Sequence, residues 1–188
     1  MLRKYISVVL FFVVSFFALQ SQSDSSLWRY FGGESKGVAV VQNDLYQEEC
    51  GACHFAFQPG LLPARSWNRL MSRSELTDHF GEDIAFDDQV VFNDLLKYLT
   101  VNAADQSSYK RSRKITRSLG ANDAPLRVTD TPYIIRKHRE IPNRLIVQKE
   151  VGSIANCEAC HKSADKGSFD DDNVHIPNSG FFKSWDDD

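Results

Sequence analysis

Cys50-Gly51-Ala52-Cys53-His54 and Cys157-Glu158-Ala159-Cys160-His161 together use all four cysteines of the chain. C-x-x-C-H is the attachment signature of c-type haem. Two cysteines three positions apart lie on one side of a helical turn, so both sulfurs reach one porphyrin edge. The histidine that follows comes up beneath the iron as an axial ligand. A zinc site would normally close its second pair within roughly 15 to 20 residues, whereas about a hundred separate these pairs. Neither pair sits in a βαβ pattern of the kind that frames a thioredoxin-like dithiol. The expected cofactors are therefore two covalently bound haem c groups, one on Cys50 and Cys53 and the other on Cys157 and Cys160, with His54 and His161 as proximal iron ligands.

The N-terminus points the same way. Arg3 and Lys4 precede an apolar stretch, Ile6 to Leu19, and a small polar segment around Ser21-Gln22-Ser23. This is the layout of a secretory signal peptide, expected over residues 1–23. The apolar stretch falls short of the roughly 20 residues that span a bilayer. Covalent haem attachment takes place outside the bacterial cytoplasm, so a periplasmic location is expected, with membrane contact at most transient.

A formal charge of -3, from 22 basic and 25 acidic residues, argues against a nucleic-acid partner. The charge is uneven. Lys110, Arg111, Arg113, Lys114 and Arg117 form a basic run, continued by Arg136, Lys137, Arg139 and Arg144, while Asp170–Asp172 and Asp186–Asp188 are acidic. The basic run either faces solvent, offsets haem carboxylates or steers a redox partner.

A mainly α fold is expected, with extensive loop and two small haem-binding units: residues 24–105 and 126–188, joined by a basic connecting segment, 106–125. Asn43 is placed to cap a helix leading into the first motif. A turn-rich loop, Gln58–Pro63, precedes a helix with Trp67, Leu70 and Met71 on one face. A longer helix runs from Asp87 to about Ala103 behind the stripe Val91, Leu95, Tyr98 and Leu99. Pro132 suits the first turn of a helix through Arg139, capped by Asp130 or Thr131. Leu145–Val151 has strand character, and Ser153 is placed to cap the helix of the second motif.

The sixth iron ligands decide the chemistry, because a closed iron passes electrons and an open one binds small molecules. Of the five histidines, His79, His138 and His175 stand outside the motifs. His79 follows His54 and His138 precedes His161 by similar spans, which suggests one distal histidine per unit. His175 competes for the second iron and Met71 for the first. Crossed pairing of His79 and His138 stays open, although local pairing closes shorter loops.

Cys50 to Trp67 in full, His79-Phe80-Gly81-Glu82, Arg136-Lys137-His138-Arg139-Glu140, and Cys157 to His161 with Ala164, Gly167 and Phe169 carry a resemblance. Over about Asp44 to Phe182 the chain resembles the bacterial dihaem cytochrome c family. The resemblance implies a small periplasmic electron carrier with two bis-histidine haems, the first unit being similar to class I cytochromes c. It implies His54 and His79 on one iron, and His161 and His138 on the other. It also implies redox-protein partners, some members being paired with an oxygen-binding monohaem cytochrome c. The expected protein is thus an electron carrier rather than an enzyme. A dihaem peroxidase or gas-binding haem protein, in which one distal ligand is displaced, is the alternative. Known dihaem peroxidases are considerably larger, and the chain offers no separate acid/base constellation. Neither donor, acceptor nor oligomeric state is read from the sequence.

Overall fold

The computed structural model describes residues 37–40 and 42–180. The expected signal peptide and the Asp186–Asp188 tail lie outside them. Eight helices connected by turns and irregular segments make up the described part: α1 (Asp44–Gly51), α2 (Ala64–Leu70), α3 (Arg73–Leu76), α4 (Gln89–Val101), α5 (Lys110–Ser118), α6 (Pro132–His138), α7 (Asn143–Ile146) and α8 (Cys157–Cys160). Among the described residues the only β pairing is in two isolated bridges, His79 with Glu82 and His161 with Val174. No described helix is long and apolar enough to cross a membrane.

The helix starts follow local chemistry. Asn43 accepts the Tyr46 amide at 2.8 Å and opens α1, satisfying one of the donors that a helix N-terminus leaves bare. Asp88 does the same for α4 through the Val90 and Val91 amides. Pro132 occupies the first turn of α6 after Thr131, whose hydroxyl donates to the Val128 carbonyl instead of capping the helix. The expected stripe of α4 is inward, with Leu95 and Leu99 buried and Val91 and Tyr98 packed against the core.

Two expectations fail. Leu145–Val151 is not a strand: α7 covers its start and turns follow. Leu145, Ile146 and Val151 line a cleft instead, so their apolar character reflects a concave surface to be filled and not a pleated sheet. Nor does Ser153 cap α8. Asn156 is the N-cap, without a side-chain bond, and the Ser153 hydroxyl accepts the Ala155 amide within the preceding turn.

The segment 106–125 contains α5, whose Ser112 and Ile115 are fully buried. Ser112 lets α5 approach the Pro59–Leu61 turn so closely that a Cβ on Gly60 would stand 2.8 Å from the Ser112 hydroxyl. Val38, Leu61, Ile115, Tyr133, Ala164 and Phe169 belong to one hydrophobic core. The buried Gln58 side chain donates to the Ala164 carbonyl, and the Val38 amide donates to Gly167 at 2.9 Å. The segments flanking the first motif are thereby joined to the residues that follow the second. The described residues all belong to one unit by their contacts.

Candidate metal centres

The end of α1 carries the first motif, with Cys50 packed against the core and Cys53 exposed. The His54 ring N–H at Nδ1 donates to the Phe55 carbonyl at 2.8 Å. A carbonyl only accepts, so this bond leaves Nε2 with the lone pair a metal needs. His79 sits at the start of a tight turn. Its amide donates to Glu82 at 2.7 Å, Glu82 returns a bond at 3.2 Å, and Phe80 and Gly81 between them have φ of 55° and 103°. Two successive positive φ angles are the mark of a type I′ turn. Arg127 covers the Phe80 ring at 4.3 Å. His54 and His79 face each other with ring centroids 6.4 Å apart.

The second centre is more enclosed. The one-turn helix α8 places Cys157 and Cys160 together, and the His161 amide donates to Cys157 at 2.7 Å. His138 ends α6, and its Nδ1–H donates to the Ile134 carbonyl at 2.8 Å, which leaves Nε2 as the lone-pair nitrogen. Its ring centroid lies 6.1 Å from that of His161. His138, His161, Cys157 and Cys160 all line one cleft, whose walls include Ile134, Leu145 and Ile176.

Burial favours the neutral form of His79, His138 and His161. His161 is pushed down to about 4, first by burial and then by His138 and Arg111. Burial likewise lowers His138, against a smaller opposing effect of its bond to Ile134. Burial and then His54 lower His79. Neutral imidazole is the form that ligates metal.

All four thiols are outside disulfides, and burial raises Cys50 to about 12 and Cys157 to about 11. Among the described residues no three His, Cys, Asp or Glu side chains converge on a common metal position. A haem asks for less, since its macrocycle fills four positions and the protein need supply only two axial ligands and two thioether bonds. Two imidazoles sharing one metal, with bonds of about 2.0 Å and ring radii of about 1.1 Å, have centroids about 6.2 Å apart. Both pairs match that spacing. His161 Nδ1 is buried and finds no partner among the described residues, so no bond within them sets its tautomer. The residues present fit haem.

The competing ligands are placed differently from His79 and His138. Met71 is buried in the core beside Trp67 and Leu76. His175 is exposed, and its backbone amide is tied to the Cys160 carbonyl at 2.9 Å. Sequence reasoning missed the aromatic partners Phe57 and Phe169, each with its ring 5.5 Å from a motif histidine. It also gave Arg111 no place of its own within the basic run, yet Arg111 lines the second cleft.

A helical chain with two separate C-x-x-C-H segments, each facing a second histidine, is of the class of c-type cytochromes. The family model described as dihaem cytochrome c matches residues 46–169, and the chain belongs to that family. Membership brings two covalently bound haem c groups. Among solved structures, the chain is similar to the diheme cytochrome c from Rhodobacter sphaeroides, with 41% identity and a TM-score of 0.61 over 70% of this chain and 100% of that one. It is also similar to the diheme cytochrome c from Shewanella baltica OS155, at 34% identity and a TM-score of 0.57, covering 74% of this chain and 96% of that one. No curated protein matches it.

Proposed function

We propose that the protein is a periplasmic electron carrier in which His54 and His79 ligate one haem iron and His161 and His138 the other. The observation that carries this reading is the spacing of the two imidazole pairs, 6.4 and 6.1 Å between centroids, against the about 6.2 Å of a shared metal. The haems supply one-electron chemistry at iron when bound. The Phe55 and Ile134 carbonyls hold His54 and His138 in the tautomer that presents Nε2. The apolar walls of the second cleft exclude water from that iron. Gln58 and Ala164 touch just beyond the two motifs, and this contact supports electron exchange between the centres. Export through the signal-like N-terminus accounts for haem attachment, and the partners are other redox proteins, for which an oxygen-binding monohaem cytochrome c is the first candidate.

The test is a redox titration with absorption and EPR spectra of the wild type, His79→Ala and His138→Ala. The wild type is expected to be low-spin at both haems, and each variant to turn one haem high-spin. If neither variant produces a high-spin signal, the distal assignments are wrong. Rapid stoichiometric binding of carbon monoxide to the reduced wild type would favour a peroxidase or gas-binding protein instead.

A further inference from the structure

Among the described residues, the second cleft contains a cation that no carboxylate pairs with. Arg111 projects from α5 into the wall of the cleft, where one terminal nitrogen, Nη1, donates to the Tyr133 hydroxyl at 3.2 Å and the other, Nη2, to the Phe169 carbonyl at 2.7 Å. Its Nε is buried and has no hydrogen-bond partner among the described residues. Asp171 lines the same cleft, but its carboxylate is held by Lys137 at 3.2 Å. The guanidinium carbon lies 5.9 Å from the Phe169 ring, which in turn lies 5.5 Å from the His161 ring. The charge therefore stands beside the imidazole pair. Lys114 sits near the same group of cations, held below its usual range by burial and then by Lys110, Lys137 and Arg111.

A partly desolvated guanidinium with a bare N–H is disfavoured unless an anion meets it. The planar fork of arginine matches a carboxylate better than any other anion the cofactor carries. We propose that Arg111 binds a carboxylate of the haem held between His161 and His138, and that its charge raises the reduction potential of that haem above what the two imidazoles alone would set. The inference rests on the ligand assignment under Proposed function. A fixed positive charge favours the iron with one more electron, so Arg111 works toward the reduced form. Arg111 acts through the electrostatics of the site and is a positioning residue.

The experiment compares the holoprotein with Arg111→Gln and Arg111→Lys by potentiometric titration, with the haems resolved by EPR, and by resonance Raman of the propionate-bending bands. Arg111→Gln is expected to lower the equilibrium constant for reduction of the second haem about tenfold, 59 mV for a one-electron couple, with less than a twofold change at the first. Arg111→Lys keeps the charge and loses the fork, so its potential should stay within about threefold of wild type while the Raman band moves. An unchanged potential and an unchanged band in an Arg111→Gln protein of normal absorption spectrum overturn the proposal and leave Arg111 as a tie between α5, α6 and Phe169. Should that variant fail to fold, an unmoved band in Arg111→Lys overturns it equally. His138→Ala that leaves the second haem low-spin overturns the ligand assignment, whatever the Arg111 variants show.

Discussion

Gly167 follows the second haem motif with φ of +67°, and a Cβ there would stand 2.4 Å from the Val38 carbonyl oxygen. The opposite strand of this crossing is as tight, since a Cβ on Gly37 would meet the Gly167 oxygen at 2.1 Å. Gly167→Ala combines an unfavourable backbone conformation with a collision against backbone that cannot rotate away. The expected loss is about 2 to 4 kcal/mol, read from denaturant unfolding of the holoprotein. A loss under about 0.5 kcal/mol would mean that the crossing relaxes freely. Phe80, with φ of 55°, is the reverse case. Left-handed backbone costs a bulky residue about 1 to 2 kcal/mol, whereas its exposed contact with Arg127 returns about 0.5 to 1 kcal/mol. Phe80→Asn, which suits a type I′ turn, is therefore expected to raise stability by up to about 1 kcal/mol, as measured by the unfolding midpoint. An equal or larger loss would show that Phe80 packs against its neighbours more strongly than this balance allows.

Helices α1 and α6 were legible because each carries its own punctuation, Asn43 and Pro132 at the starts, and α4 because of an apolar stripe of the right period; its cap, Asp88, was not singled out. Asp88→Ala removes an acceptor bonded to Val90 at 2.7 Å and is expected to cost about 1 kcal/mol in thermal unfolding. The same reading failed where side chains answer to a cofactor. Leu145, Ile146 and Val151 look like strand because they are apolar and branched, but the surface they serve is a cleft. Nor does the composition of α5 disclose how deeply it packs. Five basic residues outweigh two small contacts in any count, yet Ser112 and Ile115 fix the helix in the core, and the Arg111 placement follows from that docking. The site was legible to the extent that motifs and a short supply of histidines define it. His79, His138 and His175 were the histidines left over, and similar spans to the motifs singled out the first two. Which one faces which motif is a property of the folded chain: His79 is aimed by the turn closing at Glu82, and His138 by a bond back to Ile134.

At the scale of the whole molecule, small helices depend on what they pack against. α3, α7 and α8 are four residues each, far below the length at which a helix persists alone. Their order must come from the core and, for α7 and α8, whose Leu145, Ile146, Cys157 and Cys160 line the second cleft, from the haem that this cleft would hold. That core does not stop at the second motif. Gln58 reaches Ala164, Val38 pairs with Gly167, and Leu61 lines the second cleft although it follows the first motif. Loss of one haem should thus be felt at the other. In the proposed arrangement, the double variant Cys157→Ala/Cys160→Ala would remove the thioether bonds of the second haem and open its apolar cleft to water. Cavities of this kind destabilise by the transfer and packing energy of the missing atoms, which for a cofactor of this size is several kcal/mol. The first haem is expected to lose its native absorption spectrum at a lower temperature in the variant than in the wild type. In the wild type, both haems are expected to melt in one transition when followed separately by EPR after quenching from successive temperatures. Two well-separated transitions, with the first haem indifferent to loss of the second, would show instead that the contacts through Gln58 and Val38 do not couple the centres energetically.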